Sequence, residues 1–142
     1  MRNLIEQLNL PADACDYLCD LWDAIQLFDD VADGDTIERS ALDSVLWSVF
    51  VGMPNNKFYM ANSQTLLPLV ATQILKWQAS DIAERDGKID EKSFMWRAGY
   101  YDVVLMVYFL CYGREITTKD AVGVLSIYGE KYADYKKEFK NA

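Results

Sequence analysis

The chain has 142 residues, of which 51% are apolar and 13% aromatic, and its formal net charge is −8. That composition excludes a disordered chain and suits a single domain built on one hydrophobic core. The complete absence of histidine excludes a Ser-His-Asp triad, a histidine general base and zinc-hydrolase chemistry.

A short leading helix is predicted over residues 2–9. Residues 11–35, PADACDYLCDLWDAIQLFDDVADGD, follow as an acidic amphipathic helix with Asn9 as its cap and Pro11 in its first turn. At about 100° per residue, Ala14, Leu18, Leu21, Ile25, Phe28 and Ala32 share one face, and Asp13, Asp16, Asp20, Asp23 and Asp30 share the opposite one. Asp29 projects into the apolar arc, with Asp33 one turn later, and Asp35 follows the turn at Gly34. Thr36 is positioned to cap a third helix reaching Val51, stopped by Gly52 and Pro54. Asn55-Asn56 opens a less regular stretch, KFYMANS, read as a short helix and a loop, after which Ser63 caps a fourth helix with Pro68 near its start.

Asp90 caps a fifth helix, EKSFMWRAGYYDVVLMVYFLCY, whose second half is apolar all round and reads as the centre of a bundle. Thr117 and Asp120 resemble a capping box for a last helix with a basic end at Lys131, Lys136, Lys137 and Lys140. With no strand signal, the reading is an all-α, single-domain bundle of five to six helices. The segments Asp43–Phe50 and Asp102–Phe109 are alike, which suggests two related αα-hairpins. The longest apolar run, Val103–Tyr112, is too short to span a bilayer, and MRNLIEQLNL lacks the apolar core of a signal peptide. A soluble cytoplasmic protein is expected, with Cys15, Cys19 and Cys111 as buried thiols rather than a disulfide framework.

Charge is unevenly placed. Residues 3–38 carry ten acids and no Lys or Arg, so the rest of the chain is nearly neutral. Such an element repels nucleic acid and membranes and attracts basic proteins or cations. Several other carboxylates fall on apolar faces: Asp81 and Glu84 in the fourth helix, Asp102 in the fifth, and Asp43 in the third. Inward carboxylates on bundle helices can assemble a magnesium site. Arg39, Arg97 and nine tyrosines offer the competing outcome, plain ion pairing and hydrogen bonding.

Two local resemblances bear on that site. Asp29-Asp30-Val31-Ala32-Asp33 resembles the DDxxD motif of class I isoprenoid synthases, which implies magnesium and a diphosphate substrate. The arginine pair that usually follows is reduced to Arg39, and the chain is about half the usual length. Asp81xxGlu84 followed by Asp102-Val-Val-Leu-Met-Val-Tyr-Phe109 is similar to the MazG-like all-α nucleoside triphosphate pyrophosphohydrolases. Gly99 stands where that family has an acid, and Ser40 does so in the first hairpin.

Two functions follow. The first is a small acidic binding protein of the inhibitor, immunity or anti-defence type, with no cofactor. It presents Asp13, Asp16, Asp20, Asp23, Asp30, Asp33 and Asp35 to a basic nucleic-acid-binding or nuclease protein. The second is a magnesium-dependent enzyme acting on a diphosphate, with Asp29, Asp33, Asp81, Glu84 and Asp102 as ligands and Arg39 or Arg97 on the phosphates. A structural role, including a homo-oligomer through the tyrosine-rich helices, is the third expectation.

Overall fold

The computed structural model describes residues 1–140, with side chains to Phe139. The fold is all-α, as the periodicity predicts: seven α-helices, one π-helical turn and no strand among the described residues. The chain divides into two compact units, Met1–Ser63 and Gln64–Ala142. No helix among the described residues is long and apolar enough to cross a membrane.

The first unit holds α1 (Arg2–Glu6), α2 (Ala12–Asp33), α3 (Arg39–Trp47), a π-helical turn (Ser48–Gly52) and the start of α4 (Lys57–Arg85). Asn9 does not cap α2. It takes a left-handed φ of 54°, a conformation asparagine tolerates, and so reverses the chain, while Pro11 lies just before the helix. Ala14, Leu18 and Leu21 are buried as expected, together with Ala24 and Leu27. Burial also takes in Cys15, Tyr17 and Cys19, because α2 is packed on a second side: the Tyr17 ring stacks on Tyr59 at 5.5 Å.

Towards the far end the packing thins. Ala24, Leu27 and Val45 form a small cluster flanked by Ile37 and Val49, and Phe28 and Ala32, predicted to face the core, are exposed. The cause is that α3 buries only Val45. Gly34 ends α2 in the left-handed conformation (φ 76°), with Asp35 N–H donating to the Asp30 carbonyl at 2.9 Å.

Thr36 is not the cap of α3. The stretch 35–38 is irregular and brings Ile37 to the Ala24–Leu27–Val45 cluster, so the helix starts only at Arg39, with no side-chain cap. The irregular stretch expected after Asn56 is likewise helical. Asn56 Oδ1 accepts the Tyr59 N–H at 3.0 Å, and its Nδ2 donates to the Asp13 carbonyl at 2.9 Å. A true cap at Asn56 therefore starts α4 six residues before Ser63.

The second unit holds the rest of α4, α5 (Glu91–Trp96), α6 (Tyr100–Leu125) and α7 (Tyr132–Lys140). Asp90 caps α5 as expected, and Ser93 completes the box: Asp90 Oδ1 accepts the Ser93 N–H, and Ser93 Oγ accepts the Asp90 N–H, both at 3.0 Å. The long fifth helix of the sequence reading is interrupted between Trp96 and Tyr100. There Gly99 lies so close to α4 that a Cβ would sit 2.8 Å from Gln73 Cγ and 3.1 Å from its Cα. Beyond the break Tyr100, Tyr101, Val103, Val104, Val107 and Tyr108 are buried, but Asp102 and Phe109 are exposed, so α6 is not enclosed on all sides.

Gly113 (φ 83°, ψ 173°) breaks α6. Twelve residues of straight helix would span about 18 Å, yet Tyr108 Oη donates to Asp120 Oδ2 at 2.6 Å. The chain therefore turns back on itself at Gly113. Asp120 is engaged by Tyr108, and Thr117 lies buried inside the helix, so the expected capping box is absent. The last predicted helix is also split, and α7 docks through aromatic contacts. Phe94 meets Tyr128, Tyr132 and Tyr135 at 5.6, 5.5 and 5.3 Å between ring centres. The Lys140 side chain lies outside the described residues.

The likeness of Asp43–Phe50 to Asp102–Phe109 stops at sequence. The first passes from α3 into the π turn with Leu46, Trp47 and Phe50 exposed, while the second stays α-helical with Val103, Val104 and Val107 buried.

Three glycine substitutions test these points by urea unfolding followed by circular dichroism. Gly99→Ala forces atoms into Gln73 and is expected to cost about 1–3 kcal/mol. Gly113→Ala meets open space but an unfavourable backbone conformation, again about 1–3 kcal/mol. Gly123→Ala, in open helix, is expected to be neutral or to stabilise by up to about 1 kcal/mol.

Candidate functional site

The acidic surface of α2 is built by helical spacing alone. Asp16 and Asp23 are exposed; Asp13, Asp20 and Asp30 are half-buried; Asp33 and Asp35 are exposed at and beyond the helix end. Arg2 Nη1 lies 3.4 Å from Asp16 and 3.9 Å from Glu6, in a solvent-exposed pairing that contributes little. Asp20 is held above its ordinary carboxylate range, first by burial and then by Asp16 and Asp23, with Arg2 opposing.

The far end is less favourable still. The last turn of α2 contains no basic residue, yet Asp29, Asp30 and Asp33 crowd the end where backbone carbonyls already concentrate negative charge. Each such mismatch typically costs about 0.3–1 kcal/mol.

The carboxylates proposed as magnesium ligands do not gather. Among the described residues no group of three or more Cys, Asp or Glu side chains is placed to hold a metal ion. Asp81 pairs with Arg85 at 3.0 Å, Asp102 with Lys76 at 3.0 Å, and Glu84 with Arg97 at 3.8 Å. Asp29 is half-buried and Asp33 exposed. The arginines assigned to phosphates are also engaged. Arg39 meets Asp43 at 3.0 Å, and Arg97 meets Glu130 at 3.4 Å as well as Glu84. Gly99, at the position of the missing family acid, is occupied with close packing against Gln73.

Sequence reasoning missed a buried polar cluster in the second unit. Ser80 Oγ donates to the Ser93 carbonyl at 2.8 Å, and Ser93 Oγ shares a 2.8 Å hydrogen bond with Tyr135 Oη. The Arg97 guanidinium lies 5.0 Å over the Tyr135 ring. Glu84, whose side chain is 14% exposed, is pushed up to about 7, chiefly by burial, with Arg97 pulling the other way. The only forward signals were a serine at N3 of a capping box and one arginine inside an apolar run.

Two further features complete the inventory. An open cleft of about 440 Å³ is lined by Ile89, Tyr132, Ala133, Lys136 and Lys137, with Lys136 Nζ 4.8 Å above the Tyr132 ring. Its lining carries one tyrosine and two lysines. In α2, Cys19 is pushed up to about 12 by burial and by Cys15, and it is a free thiol. No protein-family model, curated protein or solved structure matches the chain.

Two measurements follow. Glu84 binds its proton more tightly folded than unfolded, where the ordinary value is 4.5. This stabilisation is complete below pH 4.5 and lost as pH rises through about 7. Thermal unfolding is therefore expected to shift downward over that window, and Glu84→Gln to flatten the shift; an unchanged pH profile in the variant would contradict the assignment. Alkylation of Cys19 by iodoacetamide at pH 8 is expected to be at least about tenfold slower in the folded protein than in urea.

Proposed function

We propose that this chain is a small acidic binding protein that presents α2 to a basic protein partner, in the manner of an inhibitor or immunity protein. The observation that carries this reading is the row of aspartates along one helix, continued past the end where the helix itself is already negative. Burial first, and then the like charges of Asp16 and Asp23, raise Asp20, and crowding of charge at this density lowers the stability of the free protein. A cationic surface relieves both, so part of the binding energy is stored in the unbound state.

The spacing suits a site made for nucleic acid. From Asp13 to Asp33 the helix covers about 30 Å at about 1.5 Å per residue. Its seven acids give about one charge per 4 Å, against about 3.4 Å along one DNA strand. The partner is therefore a basic groove of a nucleic-acid-binding or nuclease protein, and α2 competes with the nucleic acid for it. The chain itself does not bind nucleic acid, and this mode of action needs neither a metal nor catalysis. Free cysteines at positions 15, 19 and 111 fit a reducing compartment such as the cytoplasm.

The test is an affinity pull-down from host-cell lysate at low salt, beside a variant with Asp16, Asp20, Asp23 and Asp30 changed to Asn. The variant is expected to fold, as circular dichroism will show, and to lose at least about tenfold in partner affinity. Duplex DNA is expected to displace the partner from the native protein. Identical capture by both proteins, or capture by neither, would overturn the reading.

A further inference from the structure

The second unit carries an apolar surface that the acidic face does not explain. Along α4 no charged side chain occurs between Lys57 and Lys76, so this stretch is uncharged on every side. One face is packed, with Leu66, Gln73 and Ser80 buried at seven-residue intervals. The opposite face holds Gln64, Leu67, Ala71, Leu75, Gln78 and Ile82. At about 100° per residue, all lie within about 40° of Ala71. All six are exposed, Leu67 by 59%, Leu75 by 65% and Ile82 by 52%. The steps of three and four residues are those of a helix–helix seam.

The order of residues in this seam is its most informative property. Leu67 and Leu75 stand four residues to either side of Ala71, and Gln64 and Gln78 stand seven to either side. From Gln64 to Gln78 the seam therefore reads the same in both directions. A two-fold axis through Ala71, with the helices antiparallel, sets Leu67 against the partner's Leu75 and Gln64 against the partner's Gln78. Such self-complementarity is what an interface between identical chains requires. The small alanine at the axis permits close approach of the two helices. Pro68 adds a second indication. Lacking an N–H, it leaves the Gln64 carbonyl without its helical donor, and the partner's Gln78 amide is the group placed opposite.

We infer that α4 is a homodimerisation helix, pairing antiparallel with α4 of a second copy about an axis at Ala71. The inference is independent of the proposed use of α2. The strip from Gln64 to Ile82 is about 27 Å long, which places the contact among the small interfaces, so the dimer is reversible and concentration-dependent. Two copies of charge −8 repel, and the seam itself is apolar, so added salt strengthens the dimer. A basic partner on α2 responds to salt in the opposite sense.

Sedimentation equilibrium between about 1 µM and about 1 mM, at low and high NaCl, tests this. The native mass is expected to rise from 16.3 kDa towards twice that value, and to do so at lower concentration in high salt. Ala71→Glu brings two carboxylates together at the axis and is expected to weaken the dimer at least tenfold, roughly, with unchanged circular dichroism; Leu75→Glu provides a second, independent disruption. Under oxidation, Gln64→Cys mixed with Gln78→Cys is expected to cross-link while each variant alone does not. A native protein that stays monomeric at the highest concentration overturns the inference. So does an Ala71→Glu protein that dimerises undiminished, or cross-linking of either cysteine variant with itself.

Discussion

Mutual repulsion among the aspartates of α2 is the constraint around which the first unit is arranged. A helix buried by Ala14, Leu18 and Leu21 on one side and by Tyr17 on another has only a narrow remaining face, and Asp16, Asp20, Asp23 and Asp30 crowd onto it. Arg2 answers one end of the row. The far end is answered by no basic residue in its last turn, and there the packing is also thinnest, with Phe28 and Val31 in solvent. Local energetics and global fold disagree at this point, and such disagreements are where function is commonly found. The proposed cationic partner would bring basic charge to this end.

The second unit solves a different problem. Apart from α4 its helices are short or broken, and they are joined by polar atoms buried among aromatic rings. Ser93 serves twice, closing the cap of α5 and meeting Tyr135 of α7, while Arg97 connects Glu84 with Glu130. Each member of that cluster touches another, and burying such groups is tolerable only when they are paired. Among the described residues, Arg97 Nη1 is buried without a hydrogen bond and has its 3.8 Å ion pair with Glu84. Glu84 is the member most sensitive to conditions, because its ion pair with Arg97 is long and its carboxyl is screened from water.

The class of fold was legible in the sequence, because apolar periodicity and the scarcity of proline and glycine determine it locally. So was the first half of the inner stripe of α2, from Ala14 to Leu21, and so was Asp90 as a cap. What could not be read were the places where one element decides the shape of another. Asn56 starts α4 because it also reaches Asp13; Ile37 delays α3 because it has a cluster to join; Gly99 breaks a helix because Gln73 lies against it. The inward carboxylates illustrate the same limit. Position on a helical wheel placed Asp81, Glu84 and Asp102 on apolar faces, but Arg85, Arg97 and Lys76 lie within reach of them and take up their charge. The acidic residues of α2 were easier to place, since a face made by spacing alone needs no tertiary information.

The account turns on whether the aspartates of α2 repel one another in the free protein. The most direct measurement is the titration of the Asp20 side-chain carboxyl, followed by carbon-detected NMR in the intact protein at low salt. The midpoint is predicted to lie above the ordinary aspartate value of 3.8, and to fall when Asp16 and Asp23 are changed to Asn or when NaCl is raised. A midpoint at or below that value, unmoved by either change, would contradict the account.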